Sequence, residues 1–112
     1  ISRWGVFKLN KKIDKTNYFI NDVIEKPSIN KAPSNKVVIG RYILPKKIFS
    51  KLSNQKPGKG NELHITDAIQ LLIKENHKFI AHNFSGKYLD CGSMKGYINS
   101  SLEISKLWNY AW

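Results

Sequence analysis

Cysteine, arginine and long apolar runs are all scarce in this 112-residue chain. Cys91 is the single cysteine, which excludes an internal disulfide and suits a reducing compartment. The longest wholly apolar stretch is only a few residues, and no charged-then-apolar leader opens the chain, so neither a membrane span nor a signal peptide is predicted. The sequence therefore predicts a soluble, cytoplasmic protein.

Basic residues are abundant, yet their kind and distribution argue against nucleic acid as a partner. The formal net charge is +11, but only Arg3 and Arg41 are arginine, and the lysines are spread along the chain. Recognition of phosphates and base edges favours the arginine fork, and steering of a partner requires clustered charge. We therefore interpret the charge as a solvated lysine surface. A stand-alone basic module that binds RNA or DNA is the alternative.

Hydrophobic periodicity divides the chain into strands and helices. Runs rich in aromatic and β-branched residues predict strands at residues 4–9, 19–24, 37–44 and 78–84. A lysine-rich hairpin tip is predicted at residues 10–17. Together with the helices described next, this order predicts an α/β fold that has a mixed sheet with flanking helices.

Three helices are predicted between and after these strands. The first begins at Pro45, and the second follows Thr66 or Asp67 as its cap and has the most regular apolar spacing, through Ile73. The third begins at Ser93. Its apolar residues, which we expect to be buried, are Met94, Tyr97, Ile98 and Leu102.

The residue types of known catalytic sites do not form a complete set here. No glycine-rich loop opens a helix, no Ser/His/Asp set has a recognisable spacing, and the three histidines lack the spacing of a zinc site. Three short clusters do fall at the ends of predicted strands, where α/β folds bind ligands. They are Trp4-Gly5-Val6, Glu25-Lys26-Pro27 and Asp90-Cys91-Gly92.

These clusters, with Gly40-Arg41-Tyr42 and the segments 58–69 and 86–92, resemble the bacterial sugar-1-phosphate nucleotidyltransferases in order and spacing. The match is closest to the glucose-1-phosphate uridylyltransferases and covers about residues 4–105. It implies the C-terminal portion, about half, of a Rossmann-like nucleotidyltransferase fold. Residues 1–112 would then be one partial domain that binds the sugar phosphate, with the nucleotide-binding N-terminal half absent. The chain enters its first predicted strand at once, which also favours a piece of a longer protein.

The resemblance implies roles for five residues. Gly5, Glu25, Lys26 and Val38 would bind the substrate, with Glu25 accepting hydrogen bonds from sugar hydroxyls and Lys26 contacting the phosphate. Lys26 and Asp90 would be catalytic, and Asp90 would be one of two aspartates that hold the metal. Each residue also has an ordinary structural explanation: a strand glycine, a solvated Glu-Lys pair, a core valine and an aspartate before a helix.

The implied reaction transfers UMP from UTP to glucose 1-phosphate with Mg²⁺ as cofactor, giving UDP-glucose and pyrophosphate. The resemblance also implies a homo-oligomer, with no nucleic acid or membrane as partner. The chain by itself is predicted to be inactive, because it lacks the glycine-rich loop and the first metal-binding aspartate. A thymidylyltransferase is one alternative, although those relatives usually have Asp-Thr-Gly at 90–92. A non-catalytic regulatory fragment is another.

Several neighbouring residues carry further expectations. Cys91 is predicted to be a small buried residue without nucleophilic character, since nothing nearby would lower the pKa of its thiol. Lys87 is a candidate phosphate contact. Asn61 and His64 depart from the family's usual residues, and the tail 107–112 matches no part of it.

Overall fold

The computed structural model describes residues 2–108, which form an antiparallel sheet with helices packed beside it. The three strands are β1 (Val6–Lys12), β2 (Asn17–Ile24) and β3 (Phe79–His82), in the order β1-β2-β3. β1 pairs antiparallel with β2, and β2 pairs antiparallel with β3. The α/β class is confirmed, but the sheet within residues 2–108 is antiparallel throughout and not mixed as predicted.

The hairpin between β1 and β2 is held by one aspartate. The Asp14 carboxylate accepts hydrogen bonds from the backbone N–H groups of Thr16 and Asn17, at 2.8 and 2.9 Å. The side-chain amide of Asn17 donates to the same carboxylate at 2.7 Å. These bonds, first of all the one from the Asn17 side chain, lower the pKa of Asp14 to about 2. The predicted lysine-rich tip is therefore an ordered turn.

Three α-helices follow the hairpin: α1 (Ile48–Asn54), α2 (Ile65–Lys74) and α3 (Met94–Leu107). Single 3-10 turns lie at Ile29–Lys31 and Lys59–Asn61. None of the helices among residues 2–108 is long and apolar enough to cross a bilayer. All three predicted helices are present. The third was predicted to begin at Ser93, and Ser93 is its cap, because the Ser93 hydroxyl accepts from the Gly96 N–H at 3.1 Å.

The core lies between β2 and α2, and α1 packs against α2 and contributes Ile48 to the core. The residues that α2 contributes to it, Ala68, Ile69 and Leu72, are almost fully buried and follow the predicted helical spacing. Val23 from β2 and Val38 from the following loop pack against them. Burial of a side chain of this size typically stabilises a fold by about 1.5–3 kcal/mol.

The segment 37–44, predicted as a buried strand, is irregular. Val37 forms an isolated bridge with Val6, and the Val38 N–H donates to the Gly5 carbonyl at 2.8 Å. The backbone then turns at Gly40, whose φ is +74°, and Ile43 is fully exposed. The prediction of a regular strand is wrong, because the segment leaves the edge of β1 after two residues.

The apolar side of α3 faces outward, contrary to the prediction. Met94, Tyr97, Ile98 and Leu102 are each at least half exposed, and the buried residue of this helix is Ser100. The helix makes few contacts with the other helices and strands of residues 2–108. Of the tail 107–112, residues 109–112 lie outside the described part of the chain.

Candidate functional site

The turn after β2 has an unusual backbone conformation. Lys26, two residues beyond the end of the strand, has a φ of +44°, in the left-handed region that non-glycine residues rarely adopt. Its N–H donates to the Trp4 carbonyl at 3.1 Å, and its own carbonyl accepts a hydrogen bond from the Lys59 ammonium. Such conformations persist where the surroundings fix them, and they cluster at functional sites.

Gly5 is the point where three other segments meet. A Cβ atom at Gly5 would lie 3.0 Å from Thr66 Cγ2, 3.2 Å from Glu25 Oε2 and 3.2 Å from Val38 Cγ2. These distances are tighter than nine in ten real Cβ contacts. The close approach therefore favours glycine, and it brings together three of the predicted substrate-binding residues, Gly5, Glu25 and Val38.

The Glu25 carboxylate is held by one oxygen. The Thr66 hydroxyl donates to Glu25 Oε2 at 2.6 Å. The other oxygen, Oε1, faces Lys26 Nζ at 4.0 Å and His64 Nδ1 at 3.9 Å, which are ion-pair distances and too long for hydrogen bonds. The Glu25 side chain is 13% exposed, so the carboxylate is largely shielded from water while remaining reachable.

The Lys26 ammonium, the fourth predicted substrate contact, lies next to that carboxylate. It faces Glu62 Oε2 at 3.7 Å as well as Glu25, and 38% of its side chain is exposed. The Lys26 ammonium is thus a partly exposed cation beside the Glu25 carboxylate, a hydrogen-bond acceptor that is largely buried. Such a pair can bind an anion and a neighbouring hydroxyl group.

Three further residues belong to this site and were not assigned to it from the sequence. Thr66 was predicted as a possible cap, but the cap position is His64, and the Thr66 side chain reaches Glu25 instead. Burial raises the pKa of Tyr42, and the negative charge of Glu25 raises it further. Two of the three had a signal in the sequence, because Tyr42 belongs to the Gly40-Arg41-Tyr42 cluster and His64 departs from the family pattern.

Asp90 is held by a different set of contacts. Its Oδ2 pairs with Arg3 at 3.5 Å, and its Oδ1 accepts from the Gly92 N–H at 2.9 Å. The Arg3 guanidinium also lies over the Trp4 ring, 5.5 Å from its centroid. Asp90 is thus tied to the segment just before Gly5, but its described contacts do not bring its carboxylate to Glu25 or Lys26.

Two expectations near Asp90 differ from the structure. Cys91 is exposed and not buried, since Asp90-Cys91-Gly92 runs over the surface before α3. The Lys87 ammonium donates a hydrogen bond to the Glu103 carboxylate. This bond is the largest of several causes that lower the pKa of Glu103. Within residues 2–108 no three His, Cys, Asp or Glu side chains cluster as a metal site would require.

A groove lies next to this site and shares two of its residues. It measures about 810 Å³. Apolar residues such as Phe7, Ile39 and Leu44 line most of it, while Arg41, Tyr42 and Lys87 contribute polar groups. Val38 and Tyr42 border both the groove and the cluster around Glu25.

The sequence and the α/β fold of this chain have counterparts among known proteins. Residues 1–106 match the sequence family described as nucleotidyl transferase. Because the match spans nearly the whole chain, the chain belongs to the nucleotidyltransferase family.

Several named proteins of this family are similar to the chain. The chain is 41% identical over 105 residues to UTP-glucose-1-phosphate uridylyltransferase 2 of Streptococcus pyogenes, covering 94% of the chain and 35% of that protein. It is 44% identical over 82 residues to the UTP-glucose-1-phosphate uridylyltransferase of Pseudomonas aeruginosa, covering 73% and 29%. A solved UDP-glucose pyrophosphorylase complexed with UDP-glucose superposes with a TM-score of 0.87 at 47% identity, covering 94% of this chain and 39% of that one.

The chain thus spans about 35% of the length of the curated relatives it matches. The resemblance to glucose-1-phosphate uridylyltransferases is confirmed. The prediction of a C-terminal half is wrong, because the matched part amounts to little more than a third of those proteins.

Proposed function

We propose that this chain supplies the glucose 1-phosphate site of an enzyme that transfers UMP from UTP to that sugar phosphate, giving UDP-glucose and pyrophosphate. The observation that carries the proposal is the convergence of Gly5, Glu25 and Val38, with the Lys26 ammonium beside Glu25. The carboxylate is an acceptor for sugar hydroxyls and the ammonium a partner for phosphate. Relatives named as uridylyltransferases favour UTP over the thymidylyl alternative.

In this proposal the reaction needs positioning and charge neutralisation, and it needs no covalent intermediate. A phosphate oxygen of glucose 1-phosphate attacks the α-phosphorus of UTP, the new P–O bond forms as the bond to the β-phosphate bridge breaks, and pyrophosphate leaves. Glu25 and Val38 fix the hexose, and Lys26 holds the attacking phosphate at its ammonium. Residues 2–108 offer no glycine-rich loop for the triphosphate, so the nucleotide is bound by parts of the enzyme outside these residues.

Mg²⁺ is the proposed cofactor, with Asp90 as one of its ligands. Both Asp90 oxygens already have protein partners, Arg3 and the Gly92 N–H, so the residue alone is a poor site for the ion. It fits as a single carboxylate that acts together with phosphate oxygens, which is the usual manner of binding Mg²⁺. When bound, the ion would neutralise developing phosphate charge. A homo-oligomeric, cytoplasmic enzyme, with residues 1–112 as a partial domain, stays a prediction.

Calorimetric titration of the purified chain tests the sugar site. Glucose 1-phosphate should bind at least about tenfold more tightly than inorganic phosphate, since one hydrogen bond to a charged acceptor contributes about 1.5–3 kcal/mol. Glu25→Gln should remove most of that preference, and Lys26→Met should weaken both ligands. Glu103→Gln and Lys106→Met, at an ion pair on α3, are the matched controls. Equal affinity of the wild-type chain for the two ligands would contradict the proposal.

A further inference from the structure

Thr66 has an environment that its place in the helix does not explain. It is the second residue of α2, where a threonine normally bonds to backbone groups of the first turn. Here the side chain is almost fully buried, at 3% exposure for the residue, and the hydroxyl reaches across 41 positions of sequence to Glu25. The cap of the helix is left to His64, whose side chain makes no capping bond.

The methyl group of Thr66 has a second contact. Its Cγ2 atom lies 3.0 Å from the place where a Cβ of Gly5 would stand. One β-branched side chain therefore fills the space beside Gly5 with its methyl group and bonds to the Glu25 carboxylate with its hydroxyl. Because β-branched side chains are restricted in χ1, each of these contacts fixes the direction of the other.

The hydrogen bond leaves the two oxygens of Glu25 in different states. Oε2 has a short bond to the Thr66 hydroxyl, and Oε1 accepts no hydrogen bond from the residues that the structure describes. Oε1 is also the oxygen that faces Lys26 and His64. A carboxylate fixed in this manner presents one oxygen to a ligand in a single orientation, which reduces the entropy lost on binding.

We propose that Thr66 is a positioning residue, which holds Glu25 by Oε2 so that Oε1 accepts a hydrogen bond from a hydroxyl of the hexose. The inference rests on the proposed function and deepens it, because it assigns hexose selectivity to a residue that does not itself touch the phosphate. It predicts that loss of the Thr66 hydroxyl weakens recognition of the sugar and leaves recognition of the phosphate unchanged.

The test compares Thr66→Val, which keeps the shape and loses the donor, with Thr66→Ser, which keeps the donor. The measurement is the ratio of the dissociation constants of inorganic phosphate and glucose 1-phosphate, by calorimetry on the purified chain. Thr66→Val should lower the ratio about tenfold, with the phosphate constant unchanged, and Thr66→Ser should retain it. A merely structural role would shift both constants together.

Two results overturn the inference, and they are distinguishable. If wild-type chain prefers glucose 1-phosphate and Thr66→Val keeps that preference, the positioning role is wrong while the proposed sugar site stands. If the wild-type chain has no preference, the sugar site is wrong and the role of Thr66 with it. Should Thr66→Val fail to fold by circular dichroism, Thr66→Ser and Thr66→Ala replace the pair, since they differ by the hydroxyl alone.

Discussion

The backbone N–H of Lys26 donates a 3.1 Å hydrogen bond to the carbonyl of Trp4, so the turn after β2 is joined to the residue that precedes Gly5. This bond continues the pairing of β1 with β2 two residues past Val6 and Ile24, so that Gly5 lies opposite Glu25. It places the Glu25 side chain over the bare Cα of Gly5. The predictions that follow depend on this arrangement.

Gly5→Ala should destabilise the chain and weaken binding of glucose 1-phosphate. The new methyl group would meet Thr66 Cγ2 at 3.0 Å and the Glu25 carboxylate at 3.2 Å, and overpacking of this kind costs about 1–3 kcal/mol. Chemical denaturation measures the loss. Adding Thr66→Ser removes the opposing methyl group and should restore part of the stability, and a double variant no more stable than Gly5→Ala would contradict the packing explanation.

Asp90→Asn should leave the fold intact and sharply reduce turnover in a complete enzyme that carries this segment. The Arg3 partner is more than half exposed, so loss of the ion pair should change the free energy of unfolding by less than about 1 kcal/mol. Turnover should fall because an amide is a poor ligand for Mg²⁺. Steady-state rates over a range of Mg²⁺ concentrations measure the effect, and near-normal turnover would remove Asp90 from the mechanism.

The chain by itself should release no pyrophosphate from UTP and glucose 1-phosphate. Residues 2–108 contain no cluster of three potential metal ligands, and the sequence has no glycine-rich loop that opens a helix. A coupled pyrophosphate assay should give the same signal for the wild-type chain and for Asp90→Asn. Activity should return when the remaining part of the enzyme is supplied. Turnover by the wild-type chain clearly above that of Asp90→Asn would require a nucleotide site within these residues.

The hairpin should respond to acid through Asp14. Its pKa in the folded chain is about 2, against 3.8 for the free side chain, so the folded state favours the ionised form. The stability that this gives is fully present above pH 3.8 and is lost as the pH falls through about 2. Asn17→Ala removes the largest cause and should raise the Asp14 pKa toward 3.8, measured by NMR titration. An unchanged titration curve would contradict the assigned cause.

The elements that were predicted correctly have a local signal. The spacing of Ala68, Ile69 and Leu72 specifies α2 by itself, and the polar tip around Asp14 encodes a turn. The segment 37–44 has a strand-like composition. Whether it pairs as a strand depends on how far it runs beside β1, and the local sequence pattern does not determine that distance. Thr66 shows the same limit, because its partner Glu25 is distant in sequence and capping is the ordinary explanation for threonine at a helix start.

The apolar side of α3 was predicted from a sound pattern and still faces outward. Met94, Tyr97 and Leu102 follow helical spacing, which indicates that the helix has a side suited to burial. The pattern does not specify the surface that covers that side. Helical spacing therefore predicted the helix, but it could not predict which surface, if any, its apolar side packs against.

The left-handed backbone at Lys26 lowers the stability of the fold at the residue whose ammonium is proposed to bind phosphate. A non-glycine residue in this region costs about 1 kcal/mol or more, and glycine adopts it without that cost. Lys26→Gly should therefore raise the melting temperature while it removes the ammonium, whereas Lys26→Met should only remove the ammonium. A selection for thermostability alone would replace this lysine, and the proposed contact of its ammonium with phosphate would be lost with it.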